Sequence, residues 1–170
     1  MRAYEVEEKG PSYVQRVIQH KVFSGDFKVQ SIAISNSCQY LTLGGIDGLI
    51  EVWDYASMTL DVTTLPYQAT DLYMLHRKAV LALTFSKDDK ILASGDAEGT
   101  VRVWKFAEGK RLREIDTQGG ENSGVTTLAF TSNNSQLIMG CLDKTIKVYG
   151  LKSGNLMKLL KGHDSFLQHI

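Results

Sequence analysis

The stretch GVTTLAFTSNNSQLIMGCLDKTIKVYG, residues 124–150, contains three short runs rich in apolar residues and separated by polar turns. In VTTLAF, Leu128 and Phe130 are separated by one residue, and TIKVY alternates apolar and polar residues in the same way. A period of two places such residues on one face of a β-strand. The stretch therefore predicts three short strands joined by tight turns.

The same pattern occurs three times in the chain. Residues 29–53, 80–104 and 125–149 align without gaps; each window begins with Val and ends with an aromatic residue. These aromatics are 51 and 45 residues apart, and a fourth short run follows each of them: TLDVTTL, KRLREI and NLMKLL. The longer first period contains an insertion within PYQATDLYMLHRK, residues 66–78. Four strands per repeat and this period are typical of propeller blades, so we predict an all-β propeller fragment of three blades.

The C-terminal run KGHDSFLQHI contains Gly162 and His163, and a histidine, His76, also precedes the second repeat. We therefore expect a fourth repeat to begin here. Propellers close with about four to eight blades, and three would leave apolar flanks exposed, which suggests a fragment, a split gene product or a piece completed by partners. The predicted division is an N-terminal segment at 1–25 with a candidate outer strand in SYVQRVIQHKVF, repeats at 26–75, 76–119 and 120–161, and the start of a fourth repeat at 162–170.

Composition narrows the functional classes. The chain has 170 residues and a formal net charge of +0, so it lacks the basic excess of many nucleic-acid-binding proteins. Cys38 and Cys141 form no C-x-x-C motif, which argues against a zinc site or a disulfide framework. The acidic start MRAYEVEEKG is not typical of a signal peptide, and the run AVLAL is too short to span a bilayer. These features favour an intracellular protein without a membrane segment.

The Gly-His start, the Asp turn and the strand-ending Trp resemble WD repeats. Four stretches, VEEKGPSYVQRVI, DGLIEVWDY, LPYQATDLYMLHRKAVLALTFS and GLKSGNLMKLLKGHDSF, more specifically resemble WD-repeat splicing factors of the suppressor of mec and unc mutations family, from about Glu5 to the last residue. The resemblance implies a Lis-homology region followed by a seven-bladed propeller, of which this chain covers about the first three blades. It also implies a nuclear role in the precatalytic spliceosome with the RED protein as partner.

In WD repeats a His, an Asp, a Ser or Thr, and the Trp can form a buried hydrogen-bond network, which rigidifies a blade when every member is paired. Reading Glu98 as the acid of the second repeat places Asp96 at the hydroxyl position. The corresponding hydroxyl positions are Gly45 and Cys141, and Glu121 replaces the histidine of the third repeat, so we predict that no network is complete. The predicted structural WD positions are Asp47, Trp53, His76, Glu98, Trp104, Asp143, Tyr149 and His163.

Catalytic interpretations are weaker than structural ones. His76 with Asp96 or Glu98 has the residue types for acid–base chemistry, but the same positions recur in each repeat, which favours a structural role. Cys141 lies on a predicted inner strand, where a free cysteine usually behaves as a small hydrophobe. GGIDG lacks the phosphate-loop pattern. We therefore predict no enzyme activity, no cofactor and no metal site.

The predicted function is protein interaction through propeller loops. The basic clusters HRK and KRLR fit a solvated loop and an outer strand better than an RNA site, so we expect neither direct nucleic-acid binding nor membrane binding. We predict a non-catalytic scaffold in pre-mRNA splicing; the alternative is a substrate-recognition adapter of a ubiquitin ligase, for which matched arginines are missing. The loops before the first strand and between the second and third strands are predicted to share one face, with candidate partner contacts at Arg77, Asp96, Glu98, Asn122 and Lys144.

Overall fold

The computed structural model shows three four-stranded antiparallel sheets and one separate hairpin. Among the described residues the only helical element is a 3-10 turn at Phe106–Glu108, so the predicted all-β propeller class is confirmed. In this part of the chain there is no helix long and apolar enough to cross a membrane. The structure describes residues 2–9, 12–20, 28–57, 59–60, 74–117 and 123–169, with the backbone alone at 2–9, 12–20 and 59–60.

Each sheet is one blade, and its four strands follow one another along the chain as an antiparallel meander. Blade 1 contains β3 (Val29–Ile34), β4 (Tyr40–Gly45), β5 (Ile50–Asp54) and β6 (Thr59–Leu60). Blade 2 contains β7 (Val80–Phe85), β8 (Ile91–Asp96), β9 (Thr100–Lys105) and β10 (Lys110–Asp116). Blade 3 contains β11 (Val125–Phe130), β12 (Gln136–Cys141), β13 (Ile146–Gly150) and β14 (Leu156–Leu160).

The N-terminal segment contains a hairpin that pairs with itself. β2 (Ser12–His20) covers most of the candidate outer strand, but it pairs with β1 (Arg2–Lys9) in a two-stranded sheet of its own. No described strand of a blade pairs with it. Two adjacent extended runs pair locally because a short connection brings them together at little entropic cost. The rest of the candidate strand, residues 21–23, lies outside the described residues.

The core lies between neighbouring blades. Ile50 and Val52 of blade 1 pack in one cluster with Val80, Leu83 and Trp104 of blade 2. A second cluster joins apolar residues of blades 2 and 3 in the same manner: Ala93, Val101 and Val103 with Val125, Leu137 and Met139. Because successive residues of a strand point to opposite faces of the sheet, blade 2 packs one face against blade 1 and the other against blade 3.

Two glycines permit this close packing. A Cβ atom on Gly44 would lie 2.7 Å from Cβ of Val80, and one on Gly95 would lie 2.8 Å from Cβ of Val125. Real Cβ atoms essentially never approach so closely. Each glycine is on the second strand of its blade and faces the first residue of the first strand in the next blade. Any side chain at these positions would separate the blades.

Turns between the first two strands also connect the blades. Asp89 and Asn134 adopt left-handed backbone conformations, with φ of 56° and 54°. The Asp89 carboxylate accepts from the amide nitrogen of Asn36 at 2.7 Å and from that of Ser37 at 2.8 Å, both in blade 1. Asn134 Oδ1 likewise accepts from a backbone amide of blade 2, that of Lys87, at 3.2 Å. Each turn therefore caps the turn of the preceding blade.

The inner strand of blade 1 has the exposed apolar face that the sequence predicts for a flank. Val29, Ile32 and Ile34 are 41%, 49% and 46% exposed. The corresponding residues of blade 2, Val80, Leu83 and Phe85, are buried against blade 1. The difference arises because each blade covers the inner strand of the blade that follows it.

Candidate functional site

A chain of four hydrogen-bonded side chains lies buried in blade 2. Trp104 Nε1 donates to Ser94 Oγ at 2.8 Å, and Ser94 Oγ lies 2.7 Å from His76 Nε2. His76 Nδ1 lies 2.9 Å from Asp96 Oδ2. An ionised carboxylate only accepts, so Nδ1 of His76 donates to Asp96, and every member of the chain has a partner.

Asp96 connects this chain to the turn that follows β8. Its Oδ1 atom accepts from the amides of Glu98 at 3.0 Å and Thr100 at 2.8 Å. Burial alone would raise the pKa of Asp96, but the hydrogen bonds from His76, Thr100 and Glu98 outweigh it and lower the pKa below its ordinary value. The charged carboxylate of Asp96 thus holds the β8–β9 turn through these two amides.

This geometry corrects three predictions from the sequence. The network of blade 2 is complete. Its hydroxyl belongs to Ser94 and its acid is Asp96, each two residues before the position that the alignment of the repeats assigns. Glu98 is exposed in the turn and forms an ion pair with Lys78 at 3.5 Å. Asp96 is 2% exposed, so it is a structural group and not a candidate partner contact. Asp96, at the end of β8, faces inward towards His76, whereas Glu98, in the turn, faces solvent.

The corresponding positions of the other two blades are apolar. Alignment with Ser94 gives Leu43 in blade 1 and Met139 in blade 3, and both are fully buried. Cys141 aligns with Asp96 and is also fully buried, and burial raises the pKa of its thiol to about 11. A thiol with this pKa is protonated at neutral pH, so the nucleophilic interpretation of Cys141 has no support.

Blade 3 secures its turn with an ion pair that the sequence does not predict. Lys147 is 6% exposed, and its Nζ lies 2.8 Å from Asp143 Oδ2 and donates to the Thr117 carbonyl of blade 2 at 3.3 Å. Asp143 Oδ1 accepts from the Thr145 amide at 3.0 Å. Burial would raise the pKa of Asp143, but the hydrogen bonds from Lys147 and Thr145 lower it.

The turns between the second and third strands lie beside the segments that enter the inner strands. The amide of Ala97 donates to the Ala79 carbonyl at 3.0 Å, and that of Leu142 donates to the Gly124 carbonyl at 2.8 Å. Blade 1 has the same bond between Ile46 and Lys28. These loops therefore form one end of the blades, which we call the turn face; its members are residues 46–49, 76–79, 97–99 and 142–145.

The candidate residues occupy different places relative to the turn face. Arg77, Glu98 and Lys144 are exposed on it, and Lys144 has a left-handed φ of 65° where blades 1 and 2 have glycine. Asp47 is exposed in the blade 1 turn, and Asp143 is half-buried. Trp53 and Tyr149 are buried strand residues, and His163 is exposed. Asn122 and Glu121 lie outside the described residues.

Metal-ligating residue types and cavities are both present in the part of the chain that the structure describes. The described residues contain no group of three His, Cys, Asp or Glu side chains able to hold a metal ion. An open cavity of about 380 Å³ is bounded by the first strands of the three blades and by Gln168 and His169, and its polar lining includes Ser31, Thr84 and Thr127. A second cavity of about 300 Å³ lies at the end opposite the turn face, beside Asn36 and Lys87. Both are open grooves rather than enclosed pockets.

Consecutive four-stranded blades and a complete Trp–Ser–His–Asp chain define the class of WD40 β-propellers. Residues 14–168 match the family model described as "Nucleolar protein 10-like, N-terminal domain", and the chain belongs to this family. Two solved structures have the same fold: the RRP9 WD40 repeats, at TM-score 0.72 and 21% identity, and U3-55K, at TM-score 0.72 and 20% identity. The match covers 86% of this chain in both cases, and 42% and 43% of those chains.

Curated relatives are similar over part of their length. Protein ROOT INITIATION DEFECTIVE 3 of Arabidopsis thaliana is 29% identical over 140 residues, which is 76% of this chain and 30% of the relative. Periodic tryptophan protein 2 homolog of Dictyostelium discoideum is 25% identical over 137 residues, which is 80% of this chain and 14% of the relative. The chain therefore spans a third or less of these relatives.

Proposed function

We propose that this chain is a non-catalytic protein-interaction scaffold that presents its turn face to a partner. WD40 propeller proteins generally act as protein-interaction scaffolds. The observation that carries the proposal is the complete buried chain beneath the β8–β9 turn, which holds that turn through the amides of Glu98 and Thr100. A pre-organised loop loses little conformational entropy when it binds.

The charges on the turn face suit a polar partner surface. Arg77 and Lys144 are exposed there as cations. Asp47 is an exposed carboxylate on the same face, and Glu98 is another, beside Lys78. A mixed set of this kind gives orientation and specificity rather than general attraction to polyanions. A protein partner therefore fits this face better than a nucleic-acid backbone.

We further propose that the process is pre-mRNA splicing in the nucleus, with a RED-like protein among the partners. Support comes from the resemblance of the stretches YQATD and GLKSGN…KGHDSF to WD-repeat splicing factors, because blade architecture does not require these residues. The family description names a nucleolar protein, which agrees with a nuclear location.

The test is an affinity pull-down of the tagged chain from nuclear extract, treated with nuclease and read by mass spectrometry. The variant R77E/K144E reverses two charges on the turn face, and K87E/K90E reverses two exposed charges in the turn at the opposite end. We expect nuclease-resistant recovery of RED and other precatalytic spliceosome proteins with the wild type and K87E/K90E, and loss with R77E/K144E. Equal recovery with both variants would refute the turn face, and recovery of ubiquitin-ligase subunits would replace splicing with the adapter role.

A further inference from the structure

A serine of blade 3 lies in a basic turn at the end opposite the turn face. Ser153 is exposed in the turn between β13 and β14, and its Oγ accepts from the Asn155 amide at 3.2 Å. The surrounding stretch, residues 144–161, contains five lysines and no acidic residue. Lys152, next to the serine, is exposed and forms no ion pair with a described residue. The turn therefore carries an excess of positive charge.

An arginine of blade 2 lies against the same turn. Arg113 Nη2 donates to the Lys152 carbonyl at 2.8 Å. Arg113 Nη1 lies so close to Gly154 that a Cβ atom on this glycine would overlap it. The Lys152 carbonyl is the one hydrogen-bond partner that this guanidinium has among the described residues. Because a guanidinium carries five N–H donors, Arg113 holds further donors beside Ser153.

The equivalent position of blade 2 already carries a negative charge. Ser153 follows Tyr149 by four residues, as Glu108 follows Trp104. The next residue is glycine in both turns, with a positive φ of 72° in blade 3 and 61° in blade 2. Glu108 is exposed and forms an ion pair with Lys105. The fold therefore accommodates an anionic side chain at this turn position, where blade 3 has a hydroxyl.

Blade 1 has a serine at the same position but in the opposite electrostatic setting. Ser57 follows Trp53 by four residues, and its Oγ donates to Asp54 Oδ1 at 2.7 Å. A phosphate on Ser57 would therefore meet a like charge. A phosphate opposite an arginine instead gains charge-assisted hydrogen bonds. Of the two serines, Ser153 is thus the one placed to receive a phosphate favourably.

We propose that Ser153 is a phosphorylation site whose phosphate pairs with Arg113 and thereby links blade 3 to blade 2. A protein serine kinase transfers the γ-phosphoryl group of ATP: the bond between that phosphorus and the ADP oxygen breaks, a bond to Ser153 Oγ forms, and the hydroxyl proton passes to a base of the kinase. The Lys152 carbonyl already holds Arg113 in place, so little side-chain entropy is lost when the phosphate binds. This regulation goes beyond the scaffold role and needs no partner protein.

The first experiment determines whether the serine is a kinase substrate. The purified full chain is incubated with ATP in nuclear extract, and phosphorylated peptides are identified by mass spectrometry, with S153A as the control. We expect phosphate on Ser153 in the wild type and loss of that phosphopeptide in S153A. Absence of phosphate from Ser153 would overturn the proposal, whichever other residues were modified.

The second experiment measures the link between the blades. Ser153 or, as the matched control, Ser57 is replaced by phosphoserine during synthesis of the full chain, in the wild type and in R113Q. Urea denaturation at about pH 7 gives the equilibrium constant of unfolding, because the phosphate is largely dianionic there. We expect phosphorylation of Ser153 to lower this constant by about fivefold in the wild type and by less than about twofold in R113Q. Phosphorylation of Ser57 should raise it.

A phosphorus NMR titration reports the contact itself. Arg113 should hold the second pKa of the Ser153 phosphate below its ordinary value of about 6, and R113Q should restore that value. An unchanged phosphate pKa in R113Q would overturn the proposal. Equal stabilisation in R113Q, or equal stabilisation by the phosphate on Ser57, would overturn it too, because a general gain of negative charge would then explain the effect.

Discussion

In blade 2 the amide of Thr100 donates to Asp96 at 2.8 Å, and in blade 3 the amide at the corresponding position, Thr145, donates to Asp143 at 3.0 Å. The two turns have equivalent hydrogen bonds from a backbone amide to an aspartate, but different side-chain interactions stabilise them. Asp96 ends a strand and is buried behind His76, whereas Asp143 lies in the turn and pairs with Lys147. Equivalent turns can therefore be stabilised by different sets of polar side chains, provided that each buried polar group has a partner.

The largest effect is expected from Asp96→Ala. This change removes the acceptor of the His76 ring and of two amides, and leaving buried donors unpaired costs about 1–3 kcal/mol for each donor. We expect the free energy of unfolding to fall by about 3 kcal/mol, measured by urea denaturation. Asp47→Ala is the control, because Asp47 is exposed and accepts one amide bond, so its loss should cost less than about 1 kcal/mol. Equal losses would show that the buried chain adds nothing.

Asp143→Ala should destabilise blade 3 more than Lys147→Met. Removing the carboxylate leaves a buried ammonium with the Thr117 carbonyl as its remaining partner, whereas removing the lysine leaves a carboxylate that is 20% exposed to water. We expect about 2 kcal/mol for Asp143→Ala and about 1 kcal/mol for Lys147→Met in urea titrations. The reverse order would mean that Lys147 acts through its apolar stem rather than through the ion pair.

Acid should weaken both blades. The pKa values of Asp96 and Asp143 are lowered in the folded state, so their contribution is fully present above the unfolded pKa, near 3.8. It is lost as the pH falls through the folded pKa values. We expect the free energy of unfolding to be constant between about pH 5 and 7 with respect to these groups and to fall below about pH 4.

The double variant Asp143→Asn/Lys147→Met should have a shallower acid limb than the wild type. Urea midpoints at about pH 7, 5 and 3 provide the measurement. An identical acid limb in the double variant would exclude Asp143 as a source of the acid sensitivity.

The smallest effect is expected from Lys144→Gly. Lys144 has a φ of 65°, whereas Gly48 and Gly99 occupy the corresponding turn positions with φ of 90° and 89°. Glycine adopts this region without the steric cost that a Cβ atom adds. We expect a gain of about 0.5 kcal/mol in the free energy of unfolding, measured as a higher urea midpoint. A loss would show that the lysine side chain contributes a contact that outweighs the relief of strain.

The fold is predictable because it depends on repeated local patterns. The period-two runs and the Gly-containing turns recur at matching positions, so the residues alone are enough to align the three blades. The N-terminal hairpin is not predictable in this way, because β2 has the composition of an outer strand and only pairing decides its partner.

The alignment of the repeats misplaces the buried chain for a specific reason. Asp47 and Asp143 lie in their turns and align with Glu98, which suggests that Glu98 is the acid of blade 2. In blade 2 it is Asp96 that accepts the hydrogen bond from the turn amide. This shift of two residues places Ser94 at the hydroxyl position. The requirement that the acid and the hydroxyl both face inward on β8 is the signal that would have found them.

Lys147 and Ser153 show what a single sequence does not encode locally. Lys147 has the pattern of an outward polar residue of a strand, and its burial depends on the Thr117 carbonyl, which comes from blade 2. Ser153 is distinguished from other exposed serines by the Arg113 side chain, which also comes from blade 2. Both features depend on contacts between blades rather than on the pattern within one.

Native-state hydrogen exchange tests directly whether the buried chain makes blade 2 the rigid support of the turn face. The amides of Thr100 and Thr145 form a matched pair, because they occupy corresponding turn positions and each donates to an aspartate. We expect the Thr100 amide and the Trp104 indole N–H to exchange through global unfolding, while the Thr145 amide exchanges through a local opening of lower free energy. Equal protection of both amides, or faster exchange at Thr100 than at Thr145, would contradict it.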